Sequence, residues 1–388
     1  MILVIEPVCQ DLEHAAFNGA MLLCAHHLAG SDAVEFHAEP AHLQAVAETL
    51  GGRMSEQLAM HPLQTAPRHA NTPGQRLWRD FSALLAVVKQ PRAQPPSLVI
   101  ITCVTEDTLL AAKILFGLRF PRLPVLVVLH SVLHNLLYSR KRRLLMGVGT
   151  PPRMRMLVLG QHIRQRLQQL YPWLAEHVCA IRHPYAFEAP RAQLPRQPLI
   201  GPPRFGFVGL GNQAKGFDVF LAVIEALGAR HPRRLAGCFH LIGRVHPHLQ
   251  PRFEAFCQGP HGHLIDAGAG PKLPLADFQA AVCRMDYLVM PYDAGMYDLV
   301  CSGSSLDAFA YLRPVIVLRS RYFDGLFADA GDIGYLCDTA EELTDRIEAL
   351  AISTEPERHS AQQQNLLRGR ALFEPGAVAE ELRRLTTR

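Results

Sequence analysis

The 388-residue sequence predicts an α/β protein made of two Rossmann-like, doubly wound domains facing a cleft. Three observations carry that expectation. The strand-like runs are apolar throughout rather than alternating, as in strands buried on both faces of a parallel sheet. Helical patterns separate these runs in both halves of the chain. Between the halves lies a stretch, 186–205, with five prolines (Pro190, Pro195, Pro198, Pro202 and Pro203). Prolines at that density forbid regular helix and make a stiff, extended connector. The length itself exceeds what one core usually serves, which again favours two domains.

In chain order, the first half offers strands at 2–6, 34–38, 97–104, 124–130, 155–160 and 177–183. Each is short, apolar and rich in branched side chains. Helical patterns fill 16–28, 105–117 and 131–146. The second half repeats the logic, with strands at 204–209, 238–243, 263–268, 286–291 and 314–320. Helices fit at 216–229, 249–258, 275–284, 303–312 and 339–351. The expected organisation is an N-terminal domain over 1–190, a linker over 191–203 and a C-terminal domain over 204–370. A last helix, 371–388, is expected to pack back on the first domain. No internal repeat is present.

Composition narrows the class of protein. Hydrophobic residues are 49% and charged residues 19% of the chain, which suits buried α/β material. No apolar run reaches the roughly 18–20 residues that a membrane span needs. The start, MILVIEPVCQ, lacks a basic region before its apolar residues and reads as a first strand. Nine cysteines without a CxxC pair read as free thiols in a reducing compartment, so a cytoplasmic protein without a zinc site is expected. A net charge of +4 is too weak to argue for nucleic acid, but suits anionic substrates or a membrane surface. The histidines of HPH (246–248) and HGH (261–263) lack the helical spacing of a metal pair and read as loop residues.

The glycine-rich segment VGLGNQAKGF, 208–217, directly follows a strand-like run. A P-loop is excluded, because Lys215 precedes Gly216 and no Ser or Thr follows. Gly209, Gly211 and Ala214 do satisfy the loose dinucleotide fingerprint G-x-G-x-x-G/A. That fingerprint requires an acidic residue closing the next strand, for the ribose. Here the next strand ends in Gly243-Arg244, where Arg244 suits only the 2′-phosphate of NADP. A plain strand-to-helix turn is a further reading, and a loop facing the diphosphate of a sugar nucleotide is another. A second segment bears on the choice. MPYDAGMYDLVCSGSSLDAFAYLRPVIV, 290–317, runs from a buried strand through a loop into a helix beginning near Ser302, Gly303, Ser304 and Ser305. Ser302 is a candidate N-cap, Gly303 allows close approach, and unpaired first-turn amides favour an anion. Two phosphate-friendly features thus belong to one domain and one sheet edge.

KGFDVFLAVIEAL after the glycine turn, then MDYLVMPYD, then SGSSLDAFAYLRPVIV, together resemble the nucleotide-binding half of the GT-B, group 1 glycosyltransferases, the retaining glycogen-synthase-like family. The resemblance is clearest over 204–350. It implies transfer of a sugar, with retention, from a UDP- or GDP-linked donor to a glycan, lipid-linked or small-molecule acceptor, as in polysaccharide biosynthesis. Lys215 matches the family lysine that contacts the donor phosphates, and a cation there makes a metal unnecessary. No cofactor is implied besides the donor. Asp307 falls where the family's E-x7-E motif has its second glutamate, which holds the ribose; the first falls on Leu299, with Asp298 beside it and Asp293 further off. Gly209, Gly211, Asn212, Arg244, Tyr297 and Ser302–Ser305 complete the expected donor set. In the first half the resemblance implies a histidine that hydrogen-bonds a donor-sugar hydroxyl. His130, ending the strand PVLVVLH, is the candidate, with His134 in reserve.

Other features stay open between two readings. Glu13 and His14 follow the first strand, where acceptors commonly bind, yet also suit a solvated helix start. Arg140, Lys141, Arg142 and Arg143 beside Leu144–Met146 suit anionic lipid or a lipid-diphosphate acceptor at the inner face of the membrane. They equally suit a solvated helix end. Alternatives to an active transferase are an NAD(P)-dependent oxidoreductase, a catalytically silent sugar-nucleotide-binding partner and an epimerase.

Overall fold

The computed structural model describes residues 1–53, 56–64, 72–130, 132–133, 146, 149–187, 199, 201–231, 235–267 and 273–386. The chain divides into two compact units. Unit 1 is Met1–Ala186 with Leu299–Cys301 and Leu372–Arg388; unit 2 is Phe187–Asp298 with Ser302–Ala371. His134, the run Arg140–Arg143 and most of the proline-rich connector lie outside the described residues.

Unit 1 is built on seven parallel strands: β1 (Ile2–Ile5), β2 (Val34–Ala38), β3 (Leu58–Pro62), β4 (Leu98–Ile101), β5 (Val125–Val128), β6 (Met154–Leu159) and β7 (Val178–Ile181). Their order across the sheet is β3-β2-β1-β4-β5-β6-β7. Strand periodicity sorts the side chains to two faces. Leu3, Ile5, Val99, Ile101, Val125 and Val127 face one core, together with α3 (Pro73–Lys89) and α4 (Glu106–Leu118). Ile2, Val4, Val34, Phe36, Ile100 and Leu126 face another, with α1 (Ala15–Ala29), α2 (Pro40–Leu50) and the last helix, α14 (Pro375–Thr386). Each such side chain contributes about 1.5–3 kcal/mol when fully buried, so continuous apolar runs are what a two-faced sheet demands. Helix α1 is buried nearly all round because it lies between the sheet and α14. Arg182 ties β7 to α14 through both oxygens of Glu381. Two short helices, α5 (Gln161–Leu170) and α6 (Pro172–Ala175), join β6 to β7.

Unit 2 carries six parallel strands: β8 (Phe205–Gly211), β9 (Phe239–Val245), β10 (Ile265–Asp266), β11 (Tyr287–Met290), β12 (Val315–Leu318) and β13 (Gly334–Cys337). Their order is β10-β9-β8-β11-β12-β13. The helices are α7 (Phe217–Arg230), α8 (Gln250–Gln258), α9 (Leu275–Cys283), α10 (Gly303–Tyr311), α11 (Arg321–Ala330), α12 (Ala340–Ile352) and α13 (Pro356–Phe373). Phe205, Phe207, Phe217, Phe220 and Phe239 form the aromatic centre of this core.

Both sheets add an edge strand beyond those expected. β3, LAMHP, ends in a proline and buries none of its residues fully, features tolerated at an edge. β13 is four residues long and begins at a glycine with φ of 157°. The expected strand at 263–268 shrinks to Ile265–Asp266. Helices α2, α3, α5, α6, α11 and α13 likewise go beyond the expected set. Among the described residues no helix is long and apolar enough to cross a membrane.

Candidate functional site

In an open parallel sheet, ligands bind outside the carboxyl ends of the strands, where the strand order reverses. In unit 2 that point lies between β8 and β11. The loops leaving these two strands are 212–216 and 291–302, which carry the two segments singled out in the sequence.

Their local chemistry is specific. Asn212 Oδ1 accepts the Lys215 backbone N–H at 2.9 Å, closing the turn. Gly216 enters α7 with φ of 64°, and a Cβ there would stand 1.8 Å from the Pro291 carbonyl oxygen. Lys215 Nζ then reaches across to donate to Ser304 Oγ at 2.6 Å. Gly209, with φ of 92°, lies directly beneath: a Cβ there would meet Lys215 Nζ at 2.8 Å and Ser304 Oγ at 2.9 Å. The glycine is favoured by its conformation, and a side chain there would also displace the ammonium and the Ser304 hydroxyl.

The start of α10 is held by side chains rather than by a serine cap. Ser302 occupies the N-cap position without a side-chain capping bond. Its Oγ pairs instead with Tyr292 OH at 3.1 Å. Ser305 Oγ donates to the Ser302 carbonyl at 2.6 Å and also pairs with Tyr322 OH. Tyr297 stacks on Tyr292 at 4.5 Å between centroids. Gly303 faces open space. This leaves first-turn amides near a lysine, an arrangement suited to anionic oxygens. Burial lowers Lys215 from the usual 10.5 to about 8, opposed by the nearby charge of Asp307, which is buried on α10. The ammonium is therefore charged but poorly solvated, and an arriving anion strengthens it.

Beside this loop lies a cavity of about 770 Å³, lined by Leu210, Gly243, Arg244, His246, Gln250 and Phe253 among others. Its size is ordinary for a small-molecule site. Arg244 is paired in register with Leu210. Among the described residues no carboxylate lines the cavity, so the ribose-binding acid of a dinucleotide fold has no counterpart among them.

Unit 1 has its own switch point, between β1 and β4. Glu6, directly after β1, is fully buried and accepts four hydrogen bonds. The Val8 and Cys9 amides reach Oε1 at 2.8 and 2.9 Å; Asn18 Nδ2 and Thr102 Oγ1 reach Oε2 at 3.2 and 2.8 Å. This clamp shapes the loop carrying Glu13 and His14, in which Asp11 and His14 adopt left-handed conformations. Glu13 is exposed and accepts the Gln10 amide at 3.4 Å. The His14 ring lies 4.2 Å from that of His130, which also contacts Phe17 at 4.7 Å and His183 at 6.0 Å. Burial, then the neighbouring His14 and His183, holds His130 well below its usual range. His183 is pushed down to about 4 by burial. Both are neutral imidazoles at neutral pH. His130 Nδ1 is buried and has no hydrogen-bond partner among the described residues, a state that a ligand hydroxyl would relieve.

Of the expected donor residues, the structure brings Gly209, Asn212, Lys215, Ser302, Gly303, Ser304, Ser305 and Asp307 to the switch point of unit 2. Gly211 also makes room for the Phe217 ring, which a Cβ there would meet at 2.9 Å. Leu299, at the place of the family's first glutamate, is fully buried in a core of unit 1. Asp298 lies 3.7 Å from Arg321, and Asp293 accepts the Met296 amide at 2.8 Å. Glu6 and Tyr292 were not singled out from the sequence. A lone acid closing an apolar run was the available signal for Glu6.

No protein-family model matches the chain, and no curated protein matches it in sequence. Solved structures do match over its whole length. HepE of Anabaena in complex with UDP is 14% identical with a TM-score of 0.66, covering 100% of this chain and 99% of its own. Sucrose-phosphate synthase of Thermosynechococcus elongatus is 16% identical, TM-score 0.68, covering 100% and 98%. A glycosyltransferase of Rickettsia africae is 11% identical, TM-score 0.70, covering 100% and 97%. The chain is a two-domain α/β protein of the GT-B fold shared with these structures.

Proposed function

We propose that the protein transfers a sugar from a UDP- or GDP-linked donor to a glycan, lipid-linked or small-molecule acceptor, without a metal ion. The observation that carries this reading is the 2.6 Å contact between Lys215 and Ser304, made over Gly209, whose φ of 92° disfavours any larger residue. A cation and a helix N-terminus there stabilise charge developing on a leaving diphosphate. The adjoining cavity takes the nucleoside, with Arg244 at its wall. Asp307 is assigned to the ribose hydroxyls and Tyr297 to the ring stack beside the phosphates. Likeness to a fold solved with UDP and with UDP-glucose supports the donor class. His130 is assigned a sugar hydroxyl, because its orphaned nitrogen is a neutral partner for one. Glu13 and His14 are assigned to the acceptor. Retention of configuration and peripheral contact with anionic lipid through Arg140–Arg143 complete the proposal.

Calorimetry with UDP, GDP and NADPH tests the donor class: NADPH binding without either diphosphate sinks the reading. A second reading is favoured by Leu299, a buried apolar side chain at the place where the resemblance expects a carboxylate for the sugar. It makes the protein a silent sugar-nucleotide binder. Binding of a nucleotide sugar with no free sugar released on long incubation would select it over the transferase.

A further inference from the structure

A cluster on β2 and β3 of unit 1 is used by nothing above. The parallel register pairs His37 with His61 and places Glu35 two residues before His37, on the same face of the sheet. The two imidazoles stack at 4.8 Å between centroids and 22° between planes. One ligand atom from each of Glu35, His37 and His61 lies within 4.8 Å of the others. Glu35 Oε2 and His37 Nε2 are already 3.4 Å apart. Two ligands on one tetrahedral zinc, each bonded at about 2.0–2.1 Å, stand roughly 3.3 Å apart.

The geometry points to a site for a divalent transition metal formed by Glu35, His37 and His61 and gated by Arg92. Two imidazoles and one carboxylate with an open position suit Zn²⁺, Co²⁺ or Ni²⁺; Mg²⁺ and Ca²⁺ want a shell of oxygens. A cation already fills the place. Arg92 Nε donates to Glu35 Oε2 at 2.7 Å, and its NH2 approaches His37 Nε2 at 3.4 Å. The remaining nitrogen, NH1, donates to the Val87 and Gln90 carbonyls at 2.8 and 2.9 Å, so the side chain keeps partners at the end of α3 when it withdraws. The metal thus competes with one partly buried ion pair. Once bound, it pins edge strand β3 to β2, its one strand neighbour among the described residues. The inference is independent of the transferase reading.

Zn²⁺ titration of chelator-treated protein, followed by calorimetry, tests it, with Co²⁺ absorption reporting the ligand set. With seventeen further histidines and nine cysteines in the chain, the readout is the difference between variants. His61→Ala is expected to bind one equivalent fewer than the natural protein, and to lose the Zn²⁺-dependent rise in Tm. Glu35→Gln should weaken that equivalent roughly tenfold or more, and Arg92→Met should tighten it about fivefold by removing the competing pair. Circular dichroism checks that each variant is folded; His61 is half-buried and on an edge, so its loss is tolerable even if His37→Ala misfolds. Equal stoichiometry and affinity in the natural protein and His61→Ala would overturn the site. Unchanged or weaker binding in Arg92→Met would overturn the gate and leave the cluster an ion-pair network.

Discussion

The two sheets have the same plan and opposite electrostatics at their switch points. In unit 2 the loops after β8 and β11 present a half-buried ammonium and first-turn amides that open to solvent at Gly303. In unit 1 the loops after β1 and β4 close on a buried carboxylate with four donors, beside histidines that burial keeps neutral. One end is prepared for an anion. The other presents neutral hydrogen-bonding groups, as a polyhydroxyl ligand requires. The lesson is that the fold supplies the place, whereas a few loop residues supply the sign of the charge.

The comparison breaks most visibly at Lys215. Lys215→Ala should lower kcat/KM roughly 100- to 1,000-fold and weaken UDP binding, as for loss of a group that stabilises the leaving charge. Unchanged UDP affinity would remove the lysine from the site. Next comes Glu6→Ala, which strands two amides, Asn18 and Thr102. It is expected to destabilise unit 1 by about 3 kcal/mol, read as a fall in the thermal midpoint, with UDP affinity intact. An unaltered midpoint would show that the clamp is not structural. His130→Ala should lower kcat about tenfold, the scale of one neutral hydrogen bond. A change in UDP Kd of similar size would instead tie it to the nucleotide.

The smallest effect is one of pH. Lys215 falls from 10.5 to about 8 in the fold. Between those values the unfolded chain holds more protons, so this group's penalty on stability shrinks as pH rises through about 8 to 10. Ligand binding runs the other way. A pyrophosphate restores the ammonium, so UDP binding near pH 8 should take up a fraction of a proton, and affinity should weaken several-fold by about pH 9. Calorimetry in buffers of different ionisation enthalpy measures the uptake. None at pH 8 would place the phosphates away from Lys215.

Much of this was legible before any coordinates. Ile2–Ile5, Leu98–Ile101 and Tyr287–Met290 are apolar at every position because each strand meets a helix layer on both faces. The edge strands β3 and β13 were not: each is only four or five residues long, with a proline ending β3 and a glycine beginning β13, so neither gives the continuous apolar run of a central strand. The glycine turn and the SGSS segment were visible as anion-friendly pieces. Ser302 shows the limit: its place at the helix start follows from sequence, but its hydroxyl is taken by Tyr292, which is distant in local pattern.

Local sequence determined the class of fold, the positions of the central strands and the chemical character of the loops, because hydrophobic period and backbone preference act over a few residues. Tertiary structure decided which loops meet. Lys215 reaches Ser304, 89 residues away, only because β8 and β11 are neighbours, and Glu6 reaches Thr102 only because β1 and β4 are. Strand order is settled by the packing of whole helix layers, and no short stretch of sequence contains it.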